Sequence, residues 1–278
     1  MNRKVLFFLI ALAVSLAGCG RSGDVPEEPE IEPSNCHLDG YTDFEKDLRG
    51  ESYVCDCENT PAGKSSWELS SRPGLWDYPI KQNTEEWEQF QGSYEEMVQL
   101  LQIPENILSS LSTEDLTDIC LRYPQNAYAM IYQNINYGFD RLISEFNGYT
   151  ELYNRNDVEV YLLKKYLEYI HCYSCLDGEY PNLLKGRISL NVMHLEGLIG
   201  RLGTKGDECL KNVLKALVAG YKIKSPYDEK TSYIIYNYFA RWNIIEKMGV
   251  ELDINISYLF RDQADRDKIN ELSYKLIQ

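Results

Sequence analysis

The sequence has few of the residues on which catalytic sites are usually built. It contains only three histidines in 278 residues, His37, His171 and His194. It also lacks the patterns H-E-x-x-H, G-x-S-x-G and G-x-x-x-x-G-K, which indicate zinc proteases, α/β-hydrolases and P-loop NTPases. We therefore assign no catalytic residue, and we expect neither a metal site nor a cofactor.

Basic residues are also scarce. The chain has 28 lysines and arginines against 43 aspartates and glutamates, for a net charge of −15. Nucleic-acid binding needs clustered lysine and arginine to neutralise phosphates. The composition therefore argues against a nucleic-acid partner, and it equally argues against direct electrostatic docking on anionic lipids.

Long apolar runs are missing except at the N-terminus. Arg3 and Lys4 precede a twelve-residue apolar run, Val5 to Leu16, which is shorter than the roughly 20 residues of a membrane-spanning helix. A basic start, an apolar run and small residues before a cysteine are typical of a signal peptide, which we assign to residues 1–18. The sequence Leu16-Ala17-Gly18-Cys19 resembles the lipobox of bacterial lipoproteins. That resemblance implies cleavage before Cys19 and lipidation of Cys19.

The segment after Cys19 is acidic and rich in proline. Residues 19–35 alternate aspartate and glutamate with Pro26, Pro29 and Pro33 and contain almost nothing apolar, so they are expected to form an extended tether. Position 20 is glycine and not the aspartate that retains other bacterial lipoproteins in the inner membrane. The resemblance thus implies an outer-membrane protein held by its lipid, and leaves open whether it faces the periplasm or the cell surface.

Seven cysteines follow Cys19, and an odd number cannot all pair within one chain. Cys36, Cys55 and Cys57 lie in an irregular segment, residues 36–83, where a cross-link would best order the chain. We predict a disulfide from Cys36 to Cys55 or Cys57, whose spacings do not match a zinc site. The other cysteines are predicted to be small buried apolar residues; they are Cys120, Cys172, Cys175 and Cys209.

The same irregular segment holds a group of aromatic residues. Trp67, Trp76 and Tyr78 lie close together among prolines and glycines, where exposed rings could stack on a sugar or contact a protein partner. The alternative is that these rings cover the helical core, because large aromatics usually contribute burial. We retain the three as candidate binding residues.

From residue 84 to residue 278 the pattern is helical. Ser93 and Glu96 form a capping box before an apolar face, and Ser112 begins another helix. The positions from Leu210 to Tyr221 follow helical spacing, and the helix within 228–248 is apolar on two sides, which indicates a central position. The sequence predicts an all-α, compact multi-helix domain of about nine helices, preceded by an irregular segment with at most a strand or two near 52–57.

Residues 78–152 resemble a segment that recurs in lipoproteins of Bacteroides-type bacteria, a family of unassigned activity. The resemblance rests on Thr84-Glu85-Glu86-Trp87, on Gln102 to Leu108, and on Phe146-Asn147-Gly148. The resemblance implies a location in the cell envelope but no particular activity. Two hypotheses therefore stand at this point: a non-catalytic envelope module that binds a protein or glycan, or a hydrolase acting on a glycan or cell-wall polymer.

Overall fold

The computed structural model describes most of the chain after Ser34. It covers residue 38 and residues 41–278, except 58, 66–67, 70–71, 133, 178–181, 202–206, 229–231 and 255–261. The predictions for the signal peptide of residues 1–18, the lipidated Cys19 and the tether of residues 19–35 lie outside these residues.

Twelve α-helices follow one another in the described part of the chain. They are α1 (Phe44–Leu48), α2 (Glu85–Gln89), α3 (Tyr94–Leu100), α4 (Glu105–Leu108), α5 (Thr113–Leu121), α6 (Ile135–Glu145), α7 (Asn147–Asn154), α8 (Val158–His171), α9 (Asn182–Arg201), α10 (Asp207–Asp228), α11 (Ile235–Lys247) and α12 (Gln263–Leu276). Nine of these twelve have seven residues or more, and no strand occurs among the described residues, including 52–57. The predicted all-α class is confirmed.

The starts of α3 and α5 follow the predicted local chemistry. The hydroxyl of Ser93 accepts a hydrogen bond from the backbone N–H of Glu96, whose carboxylate accepts one from the backbone N–H of Ser93. Ser112 caps α5 in the same way by accepting from the N–H of Asp115 at 3.1 Å. These bonds satisfy N–H groups that have no partner within the helix, and so fix where each helix begins.

Helix α6 ends at Glu145, and α7 begins almost directly afterwards, at Asn147. The side-chain amide of Asn147 donates to Ile103 O at 2.8 Å and accepts from Ile103 N at 3.0 Å. Asn147 thus connects the start of α7 to the backbone just before α4. A residue that often favours turns can begin a helix here because its side chain bonds to a distant part of the chain.

Four helices form the centre of the domain. Helix α11 packs most extensively against α9 and also against α10 and α12, while α8 packs against α9 and α10. Helices α5 and α6 both pack against α7, while α5 also contacts α8 and α6 also contacts α9. The central position predicted for the helix within 228–248 agrees with α11, in which both sides are buried. None of the described helices combines the length and apolar character needed to cross a membrane.

The segment before α2 has little regular structure but is firmly packed. Its described part contains only α1 and a 3-10 turn at Pro61–Gly63. It nevertheless contributes buried residues to the hydrophobic core, namely Tyr41, Phe44, Ala62, Tyr78 and Ile80. The segment is therefore one wall of the domain that spans Ser34–Gln278, and this wall lines the candidate site.

Candidate functional site

The three aromatic residues that we retained as candidate binding residues have different outcomes. Tyr78 is only 5% exposed, and its hydroxyl donates to Ile119 O at 2.9 Å. Trp76 is half-buried and meets the Tyr78 ring edge-to-face at 4.7 Å, while Trp67 lies outside the described residues. The prediction for Tyr78 is wrong, because a ring enclosed by the core cannot stack on a ligand.

Arg122 explains why this segment lies against the helices. Its guanidinium, 4% exposed, donates to Trp76 O at 3.1 Å and to the carboxylate of Asp77 at 2.6 Å. Burial by itself raises the pKa of Asp77, but the hydrogen bond from Lys81 and the charge of Arg122 outweigh it and lower that pKa overall. Arg122, which directly follows α5, thus holds the aromatic segment against the helices through these two contacts. No local pattern indicates this pairing, because the two residues are 45 positions apart.

The cysteines also pair differently from the prediction. Cys55 is bonded to Cys172, and Cys57 is bonded to Cys175. A bridge from Cys36 to Cys55 or Cys57 is therefore wrong, and Cys36 itself lies outside the described residues. Cys172 and Cys175 are buried, as predicted, but they are disulfide-bonded and not free.

Two of the remaining cysteine predictions have separate outcomes. Cys209 is disulfide-bonded as well, whereas Cys120 is free and buried. The sulfurs of Cys55, Cys57 and Cys175 lie within 4.8 Å of one another. All three are in disulfides, so they offer no thiolate to a metal ion, and their role in this state is to hold the irregular segment against the end of α8.

A pocket opens where that segment meets α9. Its cavity volume is about 100 Å³, below the roughly 300–1,000 Å³ of typical small-ligand sites, so it encloses only a small group and leaves the rest of a ligand in its open mouth. Most of its wall is apolar and is formed by Leu69, Leu121, Met130, Tyr169 and Leu190. The polar residues of the lining are Lys64, Ser65, Asn126, Arg187, Asn191 and His194. A mostly apolar wall with a few polar groups is the usual composition of a binding site.

Backbone contacts hold the two walls of the pocket together. The amide of Asn191 on α9 donates to Ala62 O at 2.8 Å and to Lys64 O at 2.7 Å. Arg187 pairs with Glu68 at 3.1 Å, and Lys64 forms no ion pair with the described residues. The pocket is therefore preformed, with one cation balanced and one available to a ligand.

His194 is the most unusual residue of this pocket. It is 5% exposed, and its Nε2 lies 2.9 Å from the hydroxyl of Tyr149. Its Nδ1 is buried and has no hydrogen-bond partner among the described residues. Burial lowers the pKa of His194 to about 3, so the imidazole is neutral at physiological pH. No local pattern in the sequence marks His194 as part of a pocket.

The surroundings of His194 are not those of a catalytic histidine. A catalytic histidine normally lies between a nucleophile and a carboxylate that orients it. His194 instead contacts Tyr149 through one nitrogen, and no described residue bonds to the other. Because its pKa is about 3, it is also a weak proton acceptor at neutral pH. The pocket suits binding better than proton transfer.

A second cavity of about 150 Å³ adjoins the first. The two share Leu69, Leu121 and Tyr169 as wall residues. The cations that line the second cavity all have a carboxylate partner: Arg72 pairs with Asp118 at 3.0 Å, Arg122 with Asp77 at 2.6 Å and Lys165 with Glu168 at 3.2 Å. Because these cations are already paired, we place the candidate site in the first pocket.

A fully buried pair of opposite charges lies away from both cavities. Lys224 and Glu196 are fully buried and paired at 2.8 Å, and Asn237 donates to the same carboxylate at 2.9 Å. Burial raises the pKa of Glu196 even though Lys224 acts in the opposite direction. Neither residue lines a described cavity, so this group connects α9, α10 and α11 and belongs to the architecture.

Comparison with protein-family models, with curated proteins and with solved structures finds no match for this chain.

Proposed function

We propose that this protein is a lipid-anchored protein of the outer membrane whose helical domain binds a small, largely apolar ligand without catalysis. The observation that carries the binding role is the pocket around His194, whose exposed wall is mostly apolar. With a cavity volume of about 100 Å³, the pocket would enclose one small ring or the end of a short chain. The ligand would enter between the irregular segment and α9.

The anchor part of the proposal is supported by the sequence before residue 20. A signal peptide followed by Cys19 would leave the mature chain attached by acyl chains, which anchor a protein stably when two or more are present. The tether of residues 19–35 would then hold the binding domain away from the membrane. The net charge of −15 is consistent with a domain that contacts the membrane through its lipid and not through its surface.

Substitution of Cys19 tests the anchor. We expect Cys19→Ser to accumulate as uncleaved precursor and to lose labelling by a palmitate analogue, because acylation of the thiol precedes cleavage in lipoproteins. Cys120→Ser is the matched control, since it removes a buried free thiol far from the N-terminus and should keep normal labelling. Full labelling of Cys19→Ser would contradict the anchor.

Binding of toluene to the full-length chain tests the pocket. Met130 lines the pocket, so the methyl resonance of ¹³C-labelled Met130 should shift as toluene is added. Leu190→Trp should abolish this shift, because Leu190 is a wall residue that is 42% exposed and its replacement would fill the space. Leu100→Trp is the matched control: Leu100 is equally exposed but does not line the pocket. No shift of Met130 in the unsubstituted chain would contradict the proposal.

A further inference from the structure

We propose that the ligand of this pocket carries a hydroxyl or N–H group that donates a hydrogen bond to Nδ1 of His194. The inference rests on the proposed binding function and adds the chemistry by which the ligand is selected. It follows from the contacts of His194, Tyr149 and Asn126, taken one at a time below.

The hydroxyl of Tyr149 has a single hydrogen and lies 2.9 Å from each of two acceptors, Cys120 O and the side-chain oxygen of Asn126. The amide nitrogen of Asn126 donates to Cys120 O and Leu121 O. Cys120 O thus already has a donor, whereas the oxygen of Asn126 receives its hydrogen bond from Tyr149. We therefore assign the proton of Tyr149 to the bond with Asn126. The hydroxyl of Tyr149 is engaged as a donor on this side.

The remaining contact of Tyr149 determines the tautomer of His194. Since the tyrosine proton is directed to Asn126, a lone pair of the same oxygen faces Nε2 of His194 at 2.9 Å. Nε2 must then carry the ring proton and donate it to Tyr149. In a neutral imidazole the other nitrogen is a bare acceptor, so Nδ1 is an acceptor that the described residues leave without a donor.

An unpaired acceptor is normally costly in a buried place, because it has lost its hydrogen bond to water. Protonation does not relieve it, since burial holds the pKa of His194 to about 3. A donor that arrives with a ligand would relieve it. The pocket would thus favour an apolar molecule with a donor group over an equally large molecule without one.

The pocket must adapt slightly for this contact, because Nδ1 is closed to water. Met130 is the wall residue best suited to move, since its unbranched thioether side chain changes conformation easily and it is only half-buried. Lys64 also lines the pocket and forms no ion pair with the described residues. An anionic group elsewhere on the ligand would be compatible with Lys64, but the selection that we infer depends on the donor.

A comparison of phenol with toluene tests the effect of the donor group separately from the effect of molecular size. They are nearly equal in size, and only phenol carries a hydroxyl. We expect phenol to bind the full-length chain roughly five- to tenfold more tightly than toluene, the factor that one neutral hydrogen bond supplies, as measured by the Met130 methyl resonance. The ¹⁵N resonance of His194 Nδ1 should move upfield with phenol and stay in place with toluene, because only phenol donates to it.

A variant gives an independent check. His194→Leu should bind phenol and toluene about equally, because it keeps an apolar wall and removes the acceptor. His171→Leu is the control, since His171 is also half-buried and neutral by burial but does not line the pocket; it should keep the preference for phenol. If His194→Leu does not fold, the ¹⁵N measurement on the unsubstituted chain still decides.

The outcomes separate the two proposals. If phenol and toluene both shift Met130 with equal affinity, or if Nδ1 does not respond to phenol, the donor inference is overturned and the binding function stands. If neither probe shifts Met130, both proposals fall. A phenol preference that persists in His194→Leu would assign the donor contact to another group and would also overturn the inference.

Discussion

Cys55 is disulfide-bonded to Cys172 across 117 residues of chain, and the neighbouring bridge from Cys57 to Cys175 spans 118 residues. The two bridges therefore close almost the same loop. A disulfide stabilises mainly by restricting the unfolded chain, by about 5 kcal/mol for a loop of this length. Once the first bridge has closed the loop, the second restricts only a ring of a few residues, for about 2 kcal/mol on the same scale.

This arrangement predicts strongly unequal effects of removing the bridges one after the other. Cys57→Ser/Cys175→Ser should lower the free energy of unfolding by about 2 kcal/mol, and further removal of Cys55 and Cys172 by about 5 kcal/mol. The reverse order should give the same two steps. Urea unfolding measures both, with Cys120→Ser as the control for replacing a buried sulfur. Two steps of equal size would contradict a shared loop.

For the cysteines, the sequence predicted that a cross-link was needed but not which residues it joined. The need for a cross-link near Cys55 and Cys57 was visible, because the segment lacks an apolar pattern of its own. The partners were not visible, since a bridge over more than 100 residues depends on how α8 ends and not on local spacing. The capping of α3 by Ser93 was predictable for the opposite reason, because all its contacts lie within four residues.

The buried pair of Glu196 and Lys224 leads to a second prediction. Lys224→Met should lower the free energy of unfolding by about 3–5 kcal/mol at pH 7.5, because it leaves a fully buried carboxylate without its counter-charge. Burial raises the folded-state pKa of Glu196, and the loss of Lys224 should raise it further. A group whose folded pKa is raised loses stability as pH rises, so the deficit of this variant should shrink toward pH 5.

Urea unfolding at pH 7.5 and pH 5 measures this effect. The matched control is Glu196→Gln/Lys224→Met, which removes both charges and keeps an amide for Asn237 and Tyr166, both of which contact Glu196. We expect the double variant to be more stable than Lys224→Met at pH 7.5 and to show a weaker dependence on pH. Equal deficits for the two variants at both pH values would show that lost packing, and not charge, is responsible.

Neither this pair nor His194 could be located from sequence alone. Glu196 and Lys224 occupy helices whose polar positions look like solvent-exposed flanks, and their burial follows from α11 packing over both helices. His194 lies two residues before Glu196 on α9, yet its environment comes from Tyr149 on α7 and from the turn that holds Asn126. The all-α class could be predicted from helical periodicity alone. The burial of these three residues could be predicted only from the way in which the helices pack.

The different burial of Tyr78 and Trp76 gives a third prediction. Tyr78→Ala should lower the free energy of unfolding by about 3–5 kcal/mol, because it opens a cavity in the core. Trp76→Ala should cost clearly less, since its ring is already half in contact with solvent. Thermal and urea unfolding measure both, and Tyr78→Phe, which removes only the bond to Ile119 O, should cost about 1 kcal/mol. A larger loss for Trp76→Ala than for Tyr78→Ala would contradict this ranking.

The last prediction concerns pH and His194. Burial lowers its folded-state pKa to about 3, whereas an unfolded histidine titrates near 6.5. Between these values the unfolded chain binds the proton more tightly, so the stability contributed above pH 6.5 is lost as pH falls. Between pH 7.5 and pH 5 this loss should amount to about 2 kcal/mol.

Replacement of His194 tests whether this residue causes the loss of stability at low pH. The test compares how the free energy of unfolding changes with pH, and not its absolute value. His194→Gln loses packing at every pH, but its free energy of unfolding should fall by about 2 kcal/mol less than that of the unsubstituted chain between pH 7.5 and pH 5. His171→Gln is the control: burial also lowers the pKa of His171, but this variant retains the buried His194 and so should keep the loss that we assign to it. If His194→Gln keeps the full slope, the imidazole takes up its proton in the folded state, and a neutral acceptor at Nδ1 would have to be abandoned.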